Sequence, residues 1–300
     1  MNKDLKVAIF KLDSDDFEKY YNQQLSHHNC TVFPFSSLLK KNVDNCRINF
    51  SFKKIISLNL KEFDIVIVFE ILKIIPIIRL KMNPKAKLIL WNWNKKTKEI
   101  AKKEKLVSLF CETWTFDSND AKEFGWRLNN QFYLPINVPM RQANLKKKAF
   151  CACLDKGRYL AIKNIRKLLI ENNVDCDFTL VKDDSSIYDA QDLNWVKDEG
   201  ISYKEILQHV FESDILIDFV KPGQSGLTVR TMEALFYKKK IITNNLNLAK
   251  CPFYNKNNIL IGNNLNEDVL KEFLYSDYVE INKEYLVPYT YNTWISNFLK

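Results

Sequence analysis

Residues 224–233 combine side chains that could together bind an anion. The segment reads Gln-Ser-Gly-Leu-Thr at positions 224–228, followed by Arg230 and Glu233, after an apolar run that ends near Asp218. This order predicts a strand, a loop and a helix. The N-terminus of a helix presents free backbone N–H groups and the positive end of the helix dipole, which favour a phosphate. Hydroxyls and an arginine would add charge-assisted hydrogen bonds. The simpler alternative is a tight turn followed by a capped helix.

Glycine is scarce, so each glycine is informative. The 300 residues contain only 6 glycines, whereas about 20 are expected from average usage. No G-x-G-x-x-G fingerprint and no G-x-x-x-x-G-K-[ST] phosphate loop is present. Three of the glycines, Gly157, Gly223 and Gly226, lie in the two segments that we consider for anion binding.

The elements that must position this segment follow an alternating pattern. Apolar, often β-branched runs predict strands at residues 5–10, 64–70, 87–91, 113–116, 149–153, 177–181, 214–219, 240–243 and 259–261. Amphipathic or capped stretches predict helices at residues 15–26, 71–81, 95–105, 117–124, 158–172, 203–211, 226–237, 267–273 and 289–299. Such alternation is typical of α/β domains with parallel sheets. Two prolines within residues 134–140 interrupt it, so we predict two domains.

The second series resembles the nucleotide-sugar-binding half of GT-B-fold glycosyltransferases, and most closely those that build bacterial lipopolysaccharide core and capsule. The resemblance rests on the block at residues 224–235, on Lys-Lys-Ile-Ile-Thr-Asn at 239–244, and on three segments in matching order at 154–158, 201–205 and 253–259. It implies two Rossmann-like domains facing a central cleft. The implied domains are residues 1–145 for the acceptor, 146–284 for the donor, and a C-terminal helix, 285–300, that packs back on the first domain.

The resemblance also implies roles for individual residues. Glu233 corresponds to a carboxylate that binds the donor's ribose hydroxyls, and Arg230, a possible bidentate donor to an anion, is a candidate catalytic residue. The remaining implied donor-binding residues are Lys156, Arg158, Lys182, Gln224, Ser225, Gly226, Leu227 and Thr228. Many retaining members carry a second glutamate eight residues before the first, where this chain has Ser225. The sugar and the stereochemistry of transfer therefore stay open.

Transfer of a sugar needs the leaving diphosphate to be neutralised, and GT-B enzymes achieve this without a metal, so no cofactor is expected. An inverting enzyme also needs a general base in the first domain. Asp13 and Glu70, at the ends of predicted strands, are the candidates, although a helix cap and a surface carboxylate are the simpler interpretations. Trp93 and Asn92 are the candidate acceptor contacts.

The charge is divided unevenly between the two halves. Residues 1–148 carry a net charge of +12 and residues 149–300 a net charge of −3. A basic acceptor half suits a phosphorylated glycolipid and the anionic inner leaflet. The first apolar stretch, residues 7–10, is too short for a signal peptide, and the 7 cysteines suit reduced thiols. We therefore expect a cytoplasmic protein, in peripheral contact with the membrane. A GT-B-like partner without catalysis and a basic nucleic-acid-binding protein are the alternatives.

Overall fold

The computed structural model describes residues 5–38, 51–136, 146–221, 224–262 and 265–300. The chain divides into two compact units. The first comprises residues 1–130 with 296–300, and the second comprises residues 131–295. The predicted domain boundary falls in a stretch of which residues 137–145 lie outside the described part of the chain.

The first unit is built on a six-stranded parallel sheet in the order β2-β1-β3-β4-β5-β6. Its strands are β1 Val7–Lys11, β2 Cys30–Pro34, β3 Ile65–Phe69, β4 Lys87–Asn92, β5 Glu112–Thr115 and β6 Arg127–Leu128. Its helices are α1 Asp16–Ser26, α2 Phe52–Ser57, α3 Ile75–Lys81, α4 Lys98–Lys105 and α5 Ser118–Phe124. β1 and β3 are buried at every position, as expected for central strands of a sheet covered on both faces.

The second unit repeats this architecture with the strand order β12-β11-β10-β7-β8-β9, again all parallel. Its strands are β7 Lys148–Leu154, β8 Asp175–Val181, β9 Val196–Lys197, β10 Ile215–Asp218, β11 Lys240–Thr243 and β12 Ile259–Ile261. Its helices are α6 Tyr159–Glu171, α7 Tyr203–Glu212, α8 Val229–Phe236, α9 Glu267–Tyr275 and α10 Tyr291–Asn297, whose last two residues belong to the first unit. The predicted α/β class with two parallel sheets is confirmed.

The ends of several elements differ from the prediction for local reasons. The helix predicted at 226–237 begins only at Val229, because Thr228 caps it: its side chain accepts from the backbone N–H of Thr231. The chain turns through a short 3₁₀ helix, Leu72–Ile74, before α3 begins. The last residues of the chain return to the first unit, where the Phe298 ring lies edge-on to Trp91 and Trp114.

Candidate functional site

In the second unit, the carboxyl end of β7 leads into a turn with an unusual backbone. Lys156 has φ 49° and Gly157 has φ 79°, so two consecutive residues adopt the left-handed conformation. For lysine this conformation is unfavourable and persists only where neighbouring groups hold it. The loop after β8 supplies them: the Lys156 N–H donates to Asp183 Oδ2 at 2.5 Å, and the Gly157 N–H donates to Ser185 Oγ at 2.8 Å. The Lys156 side chain is left exposed.

Arg158 joins the ends of the two neighbouring strands β7 and β10. Its guanidinium donates to the Phe219 carbonyl at 2.6 Å, to the Asp155 carbonyl at 2.9 Å and to the Leu154 carbonyl. These acceptors are neutral, so the positive charge of Arg158 is not cancelled by them. The residue is half-buried and its charge is fixed in place at the carboxyl edge of the sheet.

Lys221 completes a cluster of three positive side chains with Lys156 and Arg158. Partial burial lowers the pKa of Lys221, and the nearby charges of Lys156 and Arg158 lower it further. Across the described ranges, none of the three forms an ion pair with a carboxylate. Like charges held together without a direct ion pair favour the binding of an anion, although the nearby carboxylates of Asp183 and Asp218 interact electrostatically with Arg158. We call these three residues the basic cluster.

The N-terminus of α8 is fixed by a buried carboxylate. Asp218, the last residue of β10, accepts from the hydroxyls of Thr228 and Thr231 at 2.5 and 2.8 Å. Burial raises the pKa of Asp218, and these two hydrogen bonds oppose that rise. The Thr228 hydroxyl, predicted to bind phosphate, is therefore engaged within the protein. Its observed role is to orient the helix N-terminus.

Glu233 and Arg230 form a buried pair on successive turns of α8. Arg230 Nη1 lies 2.5 Å from Glu233 Oε2, and the Tyr203 hydroxyl donates to Glu233 Oε1 at 2.7 Å. Glu233 is fully buried, and the Arg230 guanidinium stacks on the Phe150 ring at 5.0 Å. Burial raises the pKa of Glu233, while Arg230 opposes the shift. To bind a ribose, Glu233 must exchange one of these internal partners for a ribose hydroxyl.

The other predicted donor residues lie around the same edge of the sheet. The Lys182 ammonium donates to Asp198 Oδ1 at 3.0 Å. The Gln224 N–H donates to the Lys221 carbonyl at 3.1 Å, and the Gly226 carbonyl accepts from Asn245 Nδ2 at 3.3 Å. Ser225 is buried and Leu227 is half-buried. Gly223 lies outside the described residues.

In the first unit, Glu70 directly follows β3 with φ 60°, again a left-handed conformation. Its carboxylate accepts from the Asn94 N–H at 2.7 Å, from Asn94 Nδ2 at 3.0 Å and from Lys96 Nζ at 2.7 Å. Asp13, after β1, accepts from the N–H of Ser36 at 2.8 Å and from its hydroxyl. Both candidate bases are thus held by neighbours, and their catalytic role stays a prediction.

The two candidate acceptor contacts are buried. Asn92 is fully buried, and its Nδ2 donates to Glu104 Oε2 at 2.8 Å. Trp93 packs against Tyr21 and Phe69, with ring centroids 5.2 and 5.4 Å away. Contact with an acceptor would require the Asn92 bond to open or the Trp93 ring to turn outwards.

Sequence reasoning overlooked two lysines and one asparagine. Lys221 follows β10 directly, a position at which a basic residue could have been noticed. Lys11, the last residue of β1, is buried against aromatic rings, and nothing in the sequence distinguishes it from surface lysines. Asn244 joins β11 to the residue after Phe219, since its side chain bonds to both the N–H and the carbonyl of Val220.

Comparison with solved structures identifies the fold of the chain. The chain is similar to a sucrose-phosphate synthase from Thermosynechococcus elongatus, with a TM-score of 0.56, 9% identity and coverage of 98% of this chain and 97% of that one. It is also similar to the lipopolysaccharide outer core galactosyltransferase WaaB, with a TM-score of 0.50, 13% identity and coverage of 98% of both chains. The chain has the GT-B fold. No protein-family model and no curated protein matches the sequence.

This fold assignment confirms the class that the sequence predicted. At such low identity the similarity concerns the fold, and the chemistry must be argued from the residues. In the described parts of the chain, no helix has the length and the apolar character needed to span a membrane.

Proposed function

We propose that this protein is a glycosyltransferase that uses a nucleotide-diphosphate sugar as donor. The observation that carries the proposal is the basic cluster of Lys156, Arg158 and Lys221, which lies at the carboxyl ends of β7 and β10 without a carboxylate partner among the described residues. In open parallel α/β sheets, ligands bind outside the carboxyl ends of the strands. A nucleoside diphosphate has the charge and the size to span the cluster and the N-terminus of α8.

The proposed chemistry follows from where charge develops. As the bond between the sugar and the diphosphate breaks, the sugar becomes oxocarbenium-like and the leaving group gains negative charge. Lys156 and Lys221 would approach that charge as mobile ammonium groups, while Arg158 contributes a fixed one. The backbone N–H groups at the start of α8 add the positive end of its dipole. We propose that these groups neutralise the leaving group without a metal.

For the acceptor, we propose a bacterial surface glycan, either lipopolysaccharide core or capsule, carried on a lipid. The support is the net charge of +12 on residues 1–148, which suits a phosphorylated glycolipid at an anionic leaflet. The enzyme would then work on the cytoplasmic face of the inner membrane. If transfer inverts the sugar, Asp13 or Glu70 serves as the base.

A GT-B protein that binds the donor or a partner without catalysis is a second candidate. The buried Glu233–Arg230 pair favours it, because the carboxylate expected to hold the ribose is bonded internally. Position 225 also has a serine where many retaining enzymes have a glutamate. This candidate predicts donor binding without transfer.

Thermal shift against UDP-, GDP-, CMP- and dTDP-linked sugars tests the proposal and identifies the nucleotide. We expect one nucleotide diphosphate family to raise the melting temperature, and the Lys156→Ala/Lys221→Ala variant to lose most of that shift. Release of the nucleoside diphosphate upon addition of a glycolipid extract, measured with and without EDTA, then separates the enzyme from the non-catalytic candidate. If none of the nucleotide sugars shifts the melting temperature, the proposal is wrong.

A further inference from the structure

The end of α4 and the residues after it expose apolar and basic side chains side by side. Leu106 is 74% exposed and Leu109 is 88% exposed, and Phe110 is also exposed. Exposed apolar side chains are ordinary when they stand singly, but a group of them marks an interaction surface. The opposite face of α4 packs against the protein, since Ala101 and Glu104 are buried.

The lysines of this surface carry positive charge that no ion pair compensates within the described residues. Lys102, Lys103 and Lys105 are exposed, and within the described residues none of them forms an ion pair. By contrast, Lys98 at the start of the helix pairs with Glu123 at 3.3 Å. The uncompensated charge is therefore concentrated in the last turn of α4, next to the exposed leucines. Cations there also interact favourably with the negative end of the helix dipole.

A groove of ≈ 680 Å³ continues this surface between α4 and the end of α5. Lys102 and Lys105 line it without an ion pair among the described residues, whereas Arg127 and Lys98 in its lining pair with Glu112 and Glu123. Phe124 and Trp126 also line it, with ring centroids 4.7 Å apart. Of these residue types, tryptophan and lysine are found at the level of lipid headgroups.

We propose that residues 102–110 together with this groove, which we call the α4 surface, bind the anionic headgroups of a lipid bilayer. The lysines attract the headgroups, and Leu106 and Leu109 insert between them. Charge complementarity favours this occupant, because lysines beside protruding leucines match an interface that is anionic at its surface and apolar just beneath. The proposal deepens the membrane contact in the proposed function and rests on it, because it names the surface that makes the contact.

Vesicle co-sedimentation with the full chain tests this without nucleotide sugar or acceptor. Vesicles of phosphatidylcholine are compared with vesicles that contain about a third phosphatidylglycerol. We expect binding only to the anionic vesicles, weakened by added salt. Lys102→Ser/Lys103→Ser should reduce the partition coefficient about 30-fold, and Leu109→Ser about tenfold.

Matched variants in the second unit serve as controls. Lys204→Ser/Lys250→Ser removes two exposed lysines and Leu246→Ser removes a leucine that is 73% exposed. Both should bind vesicles as the unmodified protein does. Three results would each overturn the proposal. The protein could bind neutral vesicles as well as anionic ones, or the control variants could lose as much vesicle binding as the α4 variants. Alternatively, the protein could form dimers through Leu109 instead of binding vesicles. Vesicle binding is measured without donor or acceptor. The test of the α4 surface can therefore fail while the proposed donor binding is confirmed, and donor binding can fail while the α4 surface is confirmed.

Discussion

Arg230 and Glu233 form an ion pair of 2.5 Å on one face of α8, with the carboxylate completely removed from solvent. The pair belongs to the segment, residues 224–233, that the sequence predicts to bind an anion. A buried ion pair of this kind contributes little net stability, but breaking it leaves a charge in a medium that cannot solvate it.

We therefore expect Arg230→Met to lower the free energy of unfolding by about 3–5 kcal/mol, because Glu233 would remain buried without its cation. Arg230→Met/Glu233→Leu should recover much of that loss, since both charges are removed. Chemical denaturation measures the three proteins. Arg127→Met, which breaks an exposed ion pair with Glu112, is the matched control and should cost less than about 1 kcal/mol. An Arg230→Met variant as stable as this control would contradict the assignment.

Lys221→Ala should weaken the binding of a nucleoside diphosphate by about 10- to 100-fold, because a charge-assisted hydrogen bond in a partly desolvated site is lost. Isothermal titration calorimetry with the nucleotide that gives the largest thermal shift measures this. Lys238→Ala removes an exposed lysine paired with Glu280 and should leave the affinity unchanged. Equal affinities of the two variants would exclude Lys221 from the donor site.

Lys11 makes the stability of the first unit depend on pH. Burial lowers its pKa to about 7, against the opposing charges of Asp15, Glu70 and Asp13, and its ammonium also lies against the Glu18 carboxylate. Above pH 7 the unfolded chain holds a proton that the folded chain has released, so stability rises with pH, by up to about 1.4 kcal/mol per unit. This gain is absent below pH 7, where both states are protonated.

Denaturation at pH 7, 8 and 9 compares the unmodified protein with Lys11→Met. The variant should show a flatter dependence on pH, while Lys19→Met, which removes an exposed lysine on α1, should retain the original one. Parallel curves for the Lys11→Met variant and the unmodified protein would mean that Lys11 is charged when folded.

If the proposed transfer inverts the sugar, we expect Asp13 to be the base, since the two hydrogen bonds that it accepts in the described part of the chain both come from Ser36, whereas Lys96 holds Glu70 in an ion pair at 2.7 Å. Asp13→Asn should lower kcat by about 10²- to 10⁴-fold with little change in KM for the donor. Steady-state kinetics against Asp15→Asn, which removes a neighbouring carboxylate that caps α1, provides the comparison. Similar rates for the two variants would remove Asp13 from the chemistry.

The central strands could be predicted because their apolar runs are continuous. β11 has the predicted bounds and is buried at every position, and β12 also has the predicted bounds although it lies at a sheet edge. The missed strands β2, β6 and β9 lie at sheet edges, and two of them are only 2 residues long, so no apolar pattern marks them. Tertiary pairing alone defines such strands.

The internal bonding of the candidate site could not be predicted from the sequence. The motif at 224–233 predicts an anion site at the carboxyl edge of the second sheet, and this site stays a prediction. That Tyr203 would bond to Glu233, 30 residues away, depends on how α7 packs against α8, and no local pattern encodes it. The same holds for Lys221, whose importance comes from its distance to Lys156 and Arg158 in the fold and not from spacing in the sequence.

Hydrogen–deuterium exchange with the nucleotide sugar that gives the largest thermal shift tests the central claim most directly. The account predicts slower exchange of backbone amides in residues 154–158 and 224–231, and loss of that protection in the Lys156→Ala/Lys221→Ala variant. Protection confined to other segments, or protection that persists in this variant, would contradict a donor site at the basic cluster.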